Sequence, residues 1–285
     1  MFMRRTYYMD KKREVAIRLK RFNMDWIGEN KVLVYIGKRG TGKTYLVLDY
    51  LYHHQDIPIA TCICPTNDLN GAYTPHIPGI FIHDKYTPDL VEKFVKRQRR
   101  IGKLVKSDPN YRNVDSRAMI ILDDCLYNAK NWIYDENISW IFMNGRHAKI
   151  TLILTMQYAL GITPNLRTNV DYVFICREPR LNIQKKLYEH YCGIFPSFEM
   201  FRQVLDQCTK DYGCMVIDNN SISDRIEDQV FIYKAPIHSE EFRLCYDRFW
   251  INNEVASEDE ELPENPDYNA YSTRQSKIKY NLVDG

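Results

Sequence analysis

The stretch "GKRGTGKT", Gly37 to Thr44, constrains this chain more than any other. It matches G-x-x-x-x-G-K-[ST]. An apolar, β-branched run, "KVLVYI", precedes it, and a helical pattern, "KTYLVLDYLYHH", follows. That strand–loop–helix context is what separates a phosphate-binding loop from an ordinary glycine-rich turn. Gly37, Gly40 and Gly42, with Thr41 between them, let backbone amides turn inward around phosphates, and the helix beginning near Lys43 adds its positive end. Lys43 is expected to reach the β- and γ-phosphates and the Thr44 hydroxyl to ligate magnesium. The implied ligands are ATP and Mg²⁺.

Further strand-like runs recur along the chain: "IPIATCIC", "GIFIH", "AMIILDD", "ITLILT", "VDYVFIC" and "CMVID". Helical patterns lie between most of them, among them "TPDLVEKFVKRQRRIGKLVK", "DENISWIFMNGR", "RLNIQKKLYEHYC" and "PSFEMFRQVLDQC". Alternation of this kind predicts an α/β fold with a mostly parallel central sheet and helices on both faces. The apolar strands do not alternate with polar residues, as expected of strands buried on both sides. The spacing predicts a basic N-terminal extension over 1–25, a P-loop ATPase domain over 26–250, and an acidic C-terminal tail over 251–285.

The second informative element is "RAMIILDDC". Its apolar run ends in Asp123-Asp124. A P-loop protein needs a carboxylate at the end of a neighbouring strand to hold Mg²⁺, here through water, and Asp123 fits. A second acid beside it, Asp124, suits a base that activates water, which favours hydrolysis over transfer to a bound acceptor. The strand after the acid-bearing one is expected beside the P-loop strand, with its carboxyl end facing the γ-phosphate. That strand, "ITLILTMQ", ends in Gln157, an amide able to contact both a γ-oxygen and the attacking water. Arg146 sits at the strand's other end, away from the same subunit's nucleotide. It serves catalysis only in trans, in a neighbouring subunit; otherwise it is a helix-terminal arginine satisfying a dipole. Arg167 in "PNLRTNVD" is a second candidate in trans, or a loop residue bridging to Asp171 or a backbone carbonyl.

At this point the chain resembles the FtsK–HerA superfamily of ring-forming DNA-pumping ATPases, in which a Walker B strand is followed by an Arg and then a strand ending in Gln. More closely, "IGKRGTGKT", "IILDDC", "IFMNGRHAKITLILTMQYALGITPNLRTNVDYVFI", "LYEHY", "FPSFEMFRQVLDQCT" and "IEDQVFIYKA" resemble, in order, the genome-packaging ATPase of nucleocytoplasmic large DNA viruses. The likeness spans about residues 30–236. It implies a RecA-like (ASCE) P-loop NTPase acting as a homo-oligomeric ring. The ring would use ATP to move double-stranded DNA into a preformed capsid, with a capsid or portal vertex as partner, in the virion or the host cytoplasm. The superfamily usually has Glu as its second Walker B acid; this chain has Asp124, whose shorter reach bears on the base assignment.

A DNA motor needs phosphate contacts that read charge and not sequence. Lys93, Lys96, Arg97, Arg100 and Lys103 are spaced to share one helical face, and the basic segment around 4–21, whose "EVAIRLKRF" alternates like an edge strand, is the other candidate. No apolar run reaches membrane-spanning length, and the N-terminus lacks the apolar core of a secretory signal. Eight cysteines occur without a C-x-x-C pair, which predicts buried, reduced thiols, and with no metal-ligand spacing no zinc is expected. Three rivals remain. A terminase-like subunit would need a nuclease domain, for which the roughly fifty residues after the matched stretch leave little room. A P-loop nucleotide kinase would leave Gln157 and Arg146 unexplained. A nucleotide-binding scaffold would not need Asp124.

Overall fold

A computed structural model describes residues 17–125 and 132–251. The basic residues 1–16, with Tyr7 and Tyr8, and the acidic stretch from 252 onward lie outside the described residues. Nine strands form one sheet: β1 (Lys20–Arg21), β2 (Val32–Ile36), β3 (Ala60–Ile63), β4 (Ile82–His83), β5 (Ala118–Leu122), β6 (Ile150–Met156), β7 (Tyr172–Ile175), β8 (Cys214–Asp218) and β9 (Val230–Tyr233). Their order is β1-β9-β8-β7-β2-β6-β5-β3-β4. The longer helices are α1 (Lys43–His53), α2 (Pro88–Ser107), α3 (Glu136–Asn144), α4 (Leu181–Tyr191) and α5 (Phe198–Cys208).

Every residue of β2, β3, β5, β6 and β7 is buried. Successive side chains of a strand point to opposite faces, so complete burial means that both faces are covered. The β6 strand lies between β5 and β2, in parallel with both, with Leu122 opposite Leu154 and Ile36 opposite Met156. The sequence expectation for that strand's neighbour is met. The strand over "CMVID" departs from the parallel expectation: β8 runs antiparallel to both β7 and β9. Two helices, α4 and α5, separate β7 from β8. The second brings the chain back to the edge from which β7 left, so β8 starts there and runs the other way. Among the described residues, Lys20 and Arg21 of the basic segment pair in parallel with Phe231 and Ile232 at the edge of the sheet.

The long helix α2 starts with Thr87, whose side chain accepts from the Leu90 amide, and with Pro88 in its first turn. A cap of this kind stabilises a helix by about 1 kcal/mol. The buried positions of α2 are Leu90, Val91, Phe94, Val95, Arg97, Gln98 and Ile101.

Candidate active site

The carboxyl ends of β2, β5, β6 and β7, the start of β8 and the end of β9 converge on one edge of the sheet. At its centre the chain leaves β2 at Gly37. Its amide donates to the Met156 carbonyl at the end of β6. A Cβ on Gly37 would lie 2.6 Å from the Cys176 Cβ and 2.5 Å from Thr41 Oγ1, so only glycine fits between the loop and β7. Gly40 and Gly42 have φ of +77° and +91°, conformations that glycine adopts without the steric penalty of a side chain. Gly42 immediately precedes α1, whose first amides therefore face the loop's interior.

Lys43 is buried, 7% exposed. Its Nζ donates to the carbonyls of Gly37 (2.9 Å) and Lys38 (3.1 Å), and the Thr41 hydroxyl donates to Lys38 O at 2.7 Å. The ammonium is thus held at the mouth of the loop by neutral carbonyls. Among the described residues it forms no ion pair, so its charge is available to an anion. Burial pushes the Cys176 thiol behind the loop up to about 11, which keeps it protonated and inert near neutrality.

Opposite the loop stands the acid pair. Asp123 is 5% exposed. One carboxylate oxygen accepts from the Thr155 hydroxyl, and the other from the Tyr73 hydroxyl at 2.8 Å, with Cys64 Sγ at 3.8 Å. Desolvation raises the carboxyl above its usual range, and the Thr155 and Tyr73 hydrogen bonds oppose that rise. A buried acid of this kind favours a cation beside it, and its oxygen, with the Thr44 hydroxyl, is the donor type that a hard divalent cation prefers. Asp124 adopts a left-handed backbone, φ +52°, and its amide donates to Thr155 Oγ1 at 3.0 Å. Thr155 therefore bridges both acids. The turn swings the Asp124 side chain out of the core, where its Oδ1 accepts from Gln157 Nε2 at 3.0 Å. The two polar groups expected at neighbouring strand ends thus meet directly at the exposed tip.

Sequence reading missed Tyr73 and Thr155. Thr155 was within reach: it lies two residues before Gln157, hence on the same face of β6, one step along the register that pairs Leu122 with Leu154. Tyr73 comes from a loop after β3, with no sequence signal. Also missed was a cleft of about 640 Å³ beside the loop, lined by Gly42, Thr44, Tyr45, Tyr212, Lys234 and Pro236 among others. Tyr212 has φ +62° and is 73% exposed, and a Cβ on Gly42 would touch its ring at 3.9 Å.

Arg146 lies at the opposite edge, exposed, in the turn Gly145–Ala148 that leads into β6. Among the described residues its guanidinium forms no ion pair. Next to that turn is a second cleft, of about 460 Å³, whose lining includes Arg99, Lys103, Lys106, His147 and Lys149. Arg167 is engaged within its own chain: Nη1 donates to the Ile162 carbonyl at 2.8 Å, and the guanidinium lies 5.8 Å from the Tyr191 ring centroid.

The expected basic stripe on α2 needs correction. Arg97 is buried and contacts Gln98, whose amide in turn donates to the Ser116 and Ala148 carbonyls at 2.9 Å each. Lys93 and Lys96 pair with Asp89 (2.9 Å) and Glu92 (2.6 Å) one turn back. Helical spacing groups these residues, but the docking of α2 against the Ser116 and Ala148 backbone turns Arg97 inward. Arg100 and Lys103 stay exposed.

A strand running into a glycine loop and helix, with an acid-tipped strand one place removed and a polar-tipped strand between, defines a P-loop NTPase of the RecA-like class. The chain belongs to the poxvirus A32 protein family, whose model matches residues 19–283, beyond both ends of the stretch that carries the resemblance in sequence. It is 39% identical over 218 residues to the uncharacterized protein L437 of Acanthamoeba polyphaga mimivirus, covering 76% of this chain and 77% of that one. It is 38% identical over 217 residues to the uncharacterized protein 075L of Invertebrate iridescent virus 6, covering 75% and 80%. Among solved structures, the genome packaging NTPase B204 of Sulfolobus turreted icosahedral virus 2, in complex with AMP, superposes with a TM-score of 0.52 at 18% identity, over 74% of this chain and all of that one. That match shares the fold. No helix among the described residues is long and apolar enough to cross a membrane.

Proposed function

We propose that the protein is an ATPase that packages viral DNA, hydrolysing ATP at the carboxyl edge of the sheet to drive double-stranded DNA into a capsid. The observation that carries the hydrolytic reading is the Gln157–Asp124 hydrogen bond beside the buried Asp123. It sets a base and an amide side by side where a γ-phosphate held by Lys43 would present its face to water. The loop amides and Lys43 bind the triphosphate. Thr44 directly and Asp123 through water would hold Mg²⁺, which would screen the phosphate charge. Asp124 takes a proton from the attacking water, and Gln157 orients that water and releases Asp124 on doing so. Tyr212 and Pro236 flank the cleft beyond Thr44 and receive the base. B204, which shares the fold, is described as a genome packaging NTPase and has been solved with AMP and with ATP-gammaS, which supports the reading.

Arg146 has no role in its own subunit's site. Its exposed position, in a turn next to a basic cleft at the far edge, supports a role in trans within a homo-oligomeric ring, where it would neutralise charge on the neighbour's transferred phosphate. Of the five α2 residues expected to contact DNA, Arg100 and Lys103 are the ones left for its phosphates. The test is ATP turnover with and without duplex DNA, measured alongside mass in solution. The expected result is turnover that rises with duplex and with assembly. Phosphoryl transfer to a nucleoside or nucleotide acceptor, with no hydrolysis, would make the protein a kinase instead.

A further inference from the structure

On the side of α1 away from the loop, three potential metal ligands come together from distant parts of the chain. Asp49 and His53 lie one turn apart on α1, and His238 lies in the segment after β9. Asp49 is almost wholly buried, 1% exposed. One ligand atom from each of the three lies within 4.8 Å of the others. His238 Nε2 is 2.6 Å from Asp49 Oδ1, and His53 Nε2 is 3.8 Å from the same oxygen.

The surrounding contacts orient these groups as the outer shell of a metal site does. His53 Nδ1 sits 2.8 Å from Asp25 Oδ1, so a neutral ring donates its one proton there. Its Nε2 lone pair then faces the Asp49 carboxylate with no hydrogen between them, an arrangement that a cation relieves. The Tyr233 hydroxyl donates to Asp49 Oδ2 at 2.5 Å, leaving Oδ1 toward the histidines. Tyr52 stacks on the His238 ring, with centroids 3.7 Å apart, and fixes its plane.

We propose that Asp49, His53 and His238 bind a divalent transition metal of the zinc class, which staples the segment after β9 to α1. Two imidazoles and one carboxylate are a ligand set that zinc accepts, with water completing the shell. Bonds of ~2.0–2.2 Å place neighbouring donors of a tetrahedral shell about 3.3 Å apart, so side-chain adjustments of an ångström or so admit the ion. The cysteine spacing gave no hint of this site because its ligands are not cysteines and span 189 residues. The same segment carries Lys234 and Pro236 into the cleft beside Thr44. A staple there would also hold that cleft's width, a consequence that rests on the nucleotide reading, whereas metal binding does not.

The test is titration of the full, metal-stripped chain with Co²⁺ and with Zn²⁺, following visible absorption and thermal unfolding without nucleotide. The expected result is one Co²⁺ per chain with ligand-field bands in the visible and no sulfur charge-transfer band in the near ultraviolet, displaced by Zn²⁺, with a rise in Tm on metal addition. His53→Ala and His238→Ala should each abolish the visible band while the metal-free protein stays folded. Asp25→Asn should weaken binding about 10-fold, as loss of an outer-shell partner does. A spectrum dominated by sulfur ligation, binding indifferent to both histidine substitutions, or no binding at all would overturn the site.

Discussion

The two edges of the sheet differ in kind, and β6 joins them. At its carboxyl end, Gln157 meets Asp124, Thr155 bridges both acids, and Lys43 waits across the loop. Each of these groups has a partner within the chain. At its amino end, Arg146 projects from a turn beside Arg99, Lys103, Lys106, His147 and Lys149. Like charges gathered at one edge repel, and such a surface favours a partner that brings negative charge. The carboxyl edge is a site assembled by folding. The amino edge is proposed to be completed by association, with a neighbour's nucleotide or with DNA. On this proposal, one strand carries a residue for its own subunit's chemistry at one end and a residue for another molecule's at the other.

The largest effect should come from breaking the amino edge. Arg146→Ala is expected to lower ATP turnover by about 10³–10⁵, the range seen where arginine fingers have been measured, while leaving nucleotide binding and assembly intact. Steady-state turnover alongside mass in solution would check it. Breaking the carboxyl edge at the base should follow: Asp124→Asn is expected to bind ATP but to lose about 10²–10⁴ in turnover, the contribution of a general base. Gln157→Ala should lower turnover by about 10², as loss of one preorganised donor does, with little change in nucleotide affinity measured by calorimetry.

The smallest effect is expected on the DNA side. Charge reversal of Arg100 and Lys103 should reduce the salt dependence of duplex binding by about two phosphate contacts, each worth a slope of ~0.9 in log affinity against log salt. Arg97→Ala should leave that slope unchanged and lower Tm instead, because Arg97 is a buried side chain of α2.

The parts of the site legible in sequence are those whose geometry is local. The loop from Gly37 to Thr44 needs only its own glycines and the helix that follows. The acid pair needs only the end of one strand. Gln157 was found because a parallel sheet restricts which strand can lie beside the P-loop strand, and Ile36 does lie opposite Met156. What escaped depends on packing between elements far apart in the chain. Tyr73 reaches Asp123 from a loop 50 residues away. Tyr212 overhangs the phosphate loop because two residues of the preceding turn, Asp211 and Tyr212 itself, take positive φ. The failure at Arg97 has the same origin. Helical period groups residues by face, but the sequence does not show which arc a neighbouring backbone will cover, and Gln98 anchors α2 so that Arg97 falls inside it. The reversal of β8 was hidden too, since its apolar run reads alike in either direction.

The two ends of β6 are proposed to serve two different active sites. Mixing Asp124→Asn and Arg146→Ala subunits tests this most directly, with ATP turnover measured after mass analysis has shown that mixed assemblies form. At junctions where the intact Asp124 of one subunit meets the intact Arg146 of its neighbour, a complete site is restored. Turnover should therefore return to a sizeable fraction of wild type, although each variant alone is nearly inactive. Mixed assemblies that stay as inactive as either parent would contradict the claim.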